Sequence, residues 1–169
     1  SRVKVSGSIA QVNDHFYQQG WTDGLPIIPP TEDLVLEMME AGPLSAKGVL
    51  GVLPPLNGTV TVEKAAINAV MAGCIPDYFP VVLAAIKAIL QPQFNAGSIT
   101  TTTGGAAPVV IVSGSIATTL RIHGGTAVFG SGHRANATIG RALRLTMRNL
   151  GGATSEAMEK STQAWPGKY

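Results

Sequence analysis

Apolar positions along the chain switch between helical spacing and short extended runs, with Gly and Pro at the joints. From Ser8 to Gln19, the residues Ile9, Val12 and Phe16 fall on one face, which predicts a short amphipathic helix stopped by Gly20. The segment Trp21-Thr22-Asp23-Gly24-Leu25-Pro26-Ile27-Ile28-Pro29-Pro30 is stiffened by proline and predicts an extended arm. Thr31 offers an N-cap for a helix over Glu32 to Ala41, which Gly42-Pro43 ends. Val49 to Val52 predicts a short strand, and Pro54-Pro55-Leu56-Asn57-Gly58 a turn. Thr61 then caps a helix through Ala72 that is apolar on nearly every side, so it should be buried and central, with Gly73 ending it. Cys74-Ile75-Pro76 links it to another apolar helix, capped by Asp77 and running over Val81 to Leu90, with Pro80 tolerated in its first turn.

The second half changes character. Ile99 to Thr102 and Pro108 to Ser113 read as strands, the latter carrying Val109, Val110, Ile111 and Val112. Ser115 caps a short helix to about Arg121, and Gly124-Gly125 turns into a short strand, Thr126 to Phe129. Gly130-Ser131-Gly132-His133 is a glycine loop that opens the longest helix, Ala135 to Leu150, ended by Gly151-Gly152. A tail helix from Ser155 to Gln163 and an exposed close, Trp165 to Tyr169, complete the pattern. The sum is an α+β fold: a helix-rich N-terminal half, then a small β element and a long arginine-bearing helix in the C-terminal half. Residues 1–30 form an N-terminal helix and Pro-rich arm, 31–154 a single core, and 155–169 a C-terminal tail.

At 169 residues, 45% of them hydrophobic and 13% charged, the chain can fill one core, which excludes a disordered, charge-solvated protein. The apolar run from Tyr78 to Ile86 stops at Lys87, too short to span a bilayer, so no membrane partner is expected. The lone Cys74 excludes an internal disulfide and fits a reducing compartment, so a cytoplasmic location is expected. The chain opens at Ser1 without an apolar leader, and a processed or trimmed start is expected.

Charge alters the picture most. Residues 1–85 carry four basic and eight acidic side chains, whereas residues 86–169 carry eight basic and two acidic ones. No carboxylate lies between Asp77 and Glu156, a stretch that holds Arg121, Arg134, Arg141, Arg144 and Arg148. These arginines either pair with the acidic half or a neighbouring subunit, or bind an anionic ligand. Asp23 in the arm is one candidate partner. Nucleic acid is not expected, because lysine is scarce here and aromatics are not interleaved with the arginines.

Two places can carry chemistry. Cys74 sits at a joint just before a helix start, where unpaired amides and the positive dipole end would lower a thiol pKa. The competing reading is a small buried hydrophobe. The glycine loop Gly130 to Gly132, followed by His133, Arg134 and Asn136, opens a helix and forms an anion site by converging amides. Arg134, Arg141 and Arg148 share a face, opposite an apolar stripe of Ile139, Leu143, Met147 and Leu150. The competing reading is a plain helix cap with a solvated basic face. His15, His123 and His133 lack metal-ligand spacing, so no metal is expected, and no cofactor is singled out.

Three blocks together resemble an uncharacterised bacterial family. They are Trp21-Thr22-Asp23-Gly24-Leu25-Pro26; Asn68-Ala69-Val70-Met71-Ala72-Gly73-Cys74; and Arg134-Ala135-Asn136-Ala137-Thr138-Ile139-Gly140-Arg141-Ala142 with Asn149-Leu150-Gly151-Gly152. Some members of that family are encoded near small thiol or selenol proteins with a UGSC-type motif. The resemblance spans residues 21 to 169, and the closing Pro166-Gly167-Lys168-Tyr169 resembles a block that continues in relatives. It implies thiol-linked chemistry or a two-subunit enzyme, and no assigned reaction.

The expected function is an enzyme for a small anionic substrate. Arg134 and Arg141 hold the anion with the amides of Gly130 and Gly132, Asn136 orients it, His133 serves as acid or base, and Cys74 is nucleophile or redox thiol. Lyase, hydrolase and redox chemistry stay open. The alternative is a non-catalytic subunit of a homo- or hetero-oligomer that binds its partner through the arginine face and the N-terminal arm. The low charge suits burial between subunits under either reading.

Overall fold

The computed structural model describes residues 2–43, 45, 47–155 and 157–162. Its centre is helix α3 (Val62–Ala72), on which Ala65, Ala66 and Ala69 are fully buried. Small side chains on several sides let three neighbours pack closely: α2 (Glu32–Glu40), α4 (Phe79–Ile89) and α7 (Arg134–Gly151). Thr61 caps α3 as expected, its hydroxyl accepting from the Lys64 amide at 3.2 Å. The core stripe of α7 also forms as read, with Ile139, Leu143 and Met147 buried and Leu150 half-buried. Helix α1 (Ile9–Gln18) begins at a capping box in which Ser8 and Gln11 satisfy each other's amides.

The α+β class holds, with a two-stranded sheet that lies in the first half. Strands β1 (Val49–Leu53) and β2 (Gly58–Thr61) pair antiparallel around a turn containing a cis Pro54–Pro55 bond. Strand β2 was not anticipated, since Gly58 to Thr61 is too short to show a period of its own. Gly58 lies where any Cβ would meet the Leu150 carbonyl, so the hairpin rests directly on the end of α7.

Three segments read as strands are not strands. Ile99 to Thr102 falls largely in α5 (Ala96–Thr101), where Thr101 donates back to the Gly97 carbonyl at 3.0 Å, a bond that accommodates Thr in a helix. Thr126 to Phe129 is a turn, with Ala127 at φ 59°. Pro108 to Ser113 is extended and alternates as a strand should, Val110 and Val112 half-buried and Val109 and Ile111 exposed. Among the described residues, no backbone partner completes a ladder with it. Asp77 lies inside a 3-10 turn, Pro76–Tyr78, rather than at a cap, and Ser115 is the first residue of α6 (Ser115–Thr119) with Gly114 before it. The described tail residues form turns and a bridge between Ser155 and Glu159 instead of a helix. The segment expected to be exposed, Trp165 to Tyr169, lies outside the described residues. Among the described residues, no helix is long and apolar enough to cross a membrane.

Candidate functional site

The arm from Trp21 to Pro30 crosses the body and is tied down at several points. Asn13 accepts from the Ile27 amide at 2.6 Å, Asn149 donates to the Trp21 carbonyl at 3.1 Å, and the Ile28 amide donates to the Met71 carbonyl at 3.3 Å. The strongest tie is a bidentate ion pair: Arg141 Nε and Nη2 donate to the two Asp23 carboxylate oxygens at 2.7 and 2.8 Å. Nη2 also donates to the Pro26 carbonyl at 2.9 Å. Burial opposes ionisation of Asp23, but the Arg141 hydrogen bond and charge, with the Leu25 amide, outweigh it and hold the carboxyl below its ordinary value. Arg141, expected as an anion ligand, thus fastens the arm. Arg144 pairs in the same way with Glu159 at 3.1 Å. Of the arginine face, Arg141 is satisfied by the arm and Arg144 by the tail. Among the described residues, Arg148 Nε is buried without a hydrogen-bond partner.

Cys74 owes its position to the end of α3. Gly73 adopts the left-handed conformation (φ 89°), its amide bonding the Val70 carbonyl at 2.9 Å while the Cys74 amide bonds that of Ala69 at 3.0 Å. Cys74 therefore closes the carboxyl end of α3, the negative end of that dipole, instead of facing a helix start. The side chain is 7% exposed. Burial pushes the thiol up to about 11, although a side-chain hydrogen bond with Thr138 and the charge of Arg134 favour the thiolate. The expected lowering of this pKa is thereby overturned: loss of water outweighs one guanidinium.

Arg134, the first residue of α7, reaches the same place. Its Nη2 donates to the Gly73 carbonyl at 3.3 Å, and among the described residues it forms no ion pair. Arg134 and Cys74 line one cavity of about 200 Å³, together with Ile28 from the arm and Leu34, Glu37 and Met38 from α2. The three α2 residues recur at helical spacing and present one face to it. Cys74 and Met38 are buried and form the floor, whereas Glu37 and Arg134 are exposed at the mouth. A larger groove of about 520 Å³ beside the Pro54–Asn57 turn carries no ionisable side chain. Of these two, only the smaller cavity is lined by a thiol and ionisable side chains.

The remaining candidates lie elsewhere on the loop. Asn136 clamps His123, its Oδ1 accepting from the His123 amide at 2.8 Å and its Nδ2 donating to the His123 carbonyl at 2.9 Å. Both ends of its amide hold the loop, which leaves Asn136 a positioning residue rather than a ligand contact. His133 precedes α7 without a side-chain cap bond and stacks on His123, the rings 3.8 Å apart and 6° from parallel. It does not line the cavity, and neither does Gly130 or Gly132. Gly132 adopts φ 107° to turn the chain into α7. The structure therefore joins Cys74 and Arg134 but not His133. Sequence reasoning missed Glu37, Ile28 and Thr138. Thr138 carried a signal, since it sits one turn after Arg134 on the same face. Among the described residues, no three His, Cys, Asp or Glu side chains converge as a metal site would require.

In comparisons with known proteins, no family model matches the sequence, no curated protein matches it, and no solved structure matches the fold.

Proposed function

We propose that this chain is an enzyme acting on a small anionic molecule that Arg134 holds above the Cys74 thiol. The observation that carries the reading is a shared cavity: Arg134 and Cys74 line it together, and Arg134 has no carboxylate partner among the described residues. A cavity of about 200 Å³ is smaller than the roughly 300–1,000 Å³ of drug-sized sites, which suits a small metabolite. With its pKa near 11, the thiol is protonated at neutral pH. An anion bound to Arg134 offsets the charge that favours the thiolate, so the thiol stays a hydrogen-bond donor to the ligand. Nucleophilic or redox chemistry at Cys74 then needs a proton acceptor brought by the ligand itself. Such a site accommodates lyase or hydrolase chemistry more readily than a standing thiolate redox centre. A cytoplasmic setting, where a lone thiol stays reduced, suits it. The resemblance of the three sequence blocks to a family with thiol-protein neighbours supports the same reading. Titration with acetate, propanoate and phosphate, followed by amide NMR, tests it: saturable shifts at Cys74, Ile75 and Arg134 are expected, and no saturable shift there sinks it.

A second reading, a subunit that assembles with copies of itself, is favoured by one feature. The extended Pro108 to Ser113 segment has no backbone partner among the described residues, Ile111 is 88% exposed, and no charged residue lies between Lys87 and Arg121. Sheet edges are ordinarily protected by charge. Two identical uncharged strands related by a two-fold axis can pair without repulsion, so the occupant proposed is a second copy of this chain. Light scattering is expected to show a dimer that Ile111→Lys converts to monomer. A wild-type monomer at all concentrations contradicts this reading.

A further inference from the structure

The same cavity carries a second charge of opposite sign. Glu37 and Arg134 both line it, and they do not form an ion pair with each other. Beneath them the lining side chains are apolar apart from the Cys74 thiol among the described residues, with Met38 and Val70 buried.

We infer that the ligand is a small zwitterion with an apolar substituent, an aliphatic α-amino acid by charge and size. This inference rests on the reading that Arg134 holds an anion. The carboxylate meets Arg134, the ammonium meets Glu37, and the substituent descends toward Cys74 and Met38. Three features of the cavity match three features of that class. The guanidinium recognises a carboxylate in a planar, two-bonded manner. The Glu37 carboxylate accepts from an ammonium and repels a second carboxylate, which disfavours dicarboxylates. The floor holds no charged side chain, which disfavours a charged substituent. A neutral thiol is compatible with such a floor and places sulfur against the substituent.

The experiment compares three probes by calorimetry with the full chain: leucine, 4-methylpentanoate, which lacks only the ammonium, and 3-methylbutylamine, which lacks only the carboxylate. Leucine is expected to bind about fivefold more tightly than 4-methylpentanoate, the gain that an exposed ion pair supplies. The amine is expected not to bind measurably. Glu37→Gln, at an exposed helix position, is expected to remove the leucine advantage, because leucine loses its ammonium partner while 4-methylpentanoate loses none. If 4-methylpentanoate binds as tightly as leucine, or if the advantage survives Glu37→Gln, the zwitterion inference is wrong and the Arg134 anion site stands. If neither acid binds, or if the amine binds best, both are wrong.

Discussion

Asp23→Ala lowers the stability of the fold by about 3 kcal/mol, the low end of the cost of breaking a buried ion pair by removing one partner. The Asp23 and Arg141 side chains are 6% and 16% exposed, and the substitution strands a guanidinium whose remaining acceptors are backbone carbonyls of the arm. For a chain of this length the loss corresponds to a fall of roughly 6–12 °C in Tm. The effect depends on pH in a defined direction. The folded pKa of Asp23 lies below its ordinary value of 3.8, so its contribution is fully present above that value. As pH falls below 3.8 and through the folded pKa, wild type loses the part of the contribution that depends on the charged carboxylate, and the gap to Asp23→Ala narrows. Urea midpoints measured from pH 7 to pH 3 check this; a gap that widens on acidification contradicts it.

Arg134→Gln does the opposite. It leaves stability within about 0.5 kcal/mol of wild type, as expected at an exposed position, since among the described residues the one side-chain bond lost is a 3.3 Å contact with the Gly73 carbonyl. Affinity for small carboxylates falls at least tenfold, because a hydrogen bond to a charged group is worth about 1.5–3 kcal/mol. Arg141→Gln supplies the contrast on the same helix: stability drops while carboxylate affinity in the folded protein is kept. Calorimetric titration of both variants, with thermal melts alongside, separates the two arginines. Equal loss of carboxylate affinity in both would mean that the arm geometry, and not Arg134, governs binding.

The contrast also marks how far the chain was legible. The helices over residues 9–18, 32–40, 62–72 and 134–151 were readable because apolar period and stop residues agree at each, with side-chain caps formed at Ser8 and Thr61 but not at Thr31. The four-threonine run failed, because helix geometry won over β-propensity once Thr101 found the Gly97 carbonyl. The Pro108–Ser113 run was readable as extended but not as unpaired, since pairing is a property of a partner. For the site, the gap in carboxylates correctly flagged arginines in need of anions. It could not say that Arg141 meets Asp23, that Arg144 meets Glu159, or that Arg134 is left open to the cavity. The Cys74 pKa was misjudged for a related reason. A link between two helices shows its neighbours in sequence but not the residues packed over it, and it is burial that raises the thiol. Glu37 drew no notice because a lone acidic residue on an amphipathic helix usually belongs to the solvated face.

The central claim is that Arg134 presents a positive charge to ligands directly over Cys74. The most direct test is the ratio of Cys74 alkylation rates by iodoacetate and by iodoacetamide at pH 9, normalised to the same ratio for an unstructured cysteine peptide. The ratio cancels the small thiolate fraction of a thiol titrating near 11 and leaves the effect of the reagent's charge. A normalised ratio well above one, about fivefold, is expected in the wild type, returning to one in Arg134→Gln and suppressed by added propanoate. A normalised ratio of one in wild type, or labelling that appears only when the protein unfolds, would contradict it.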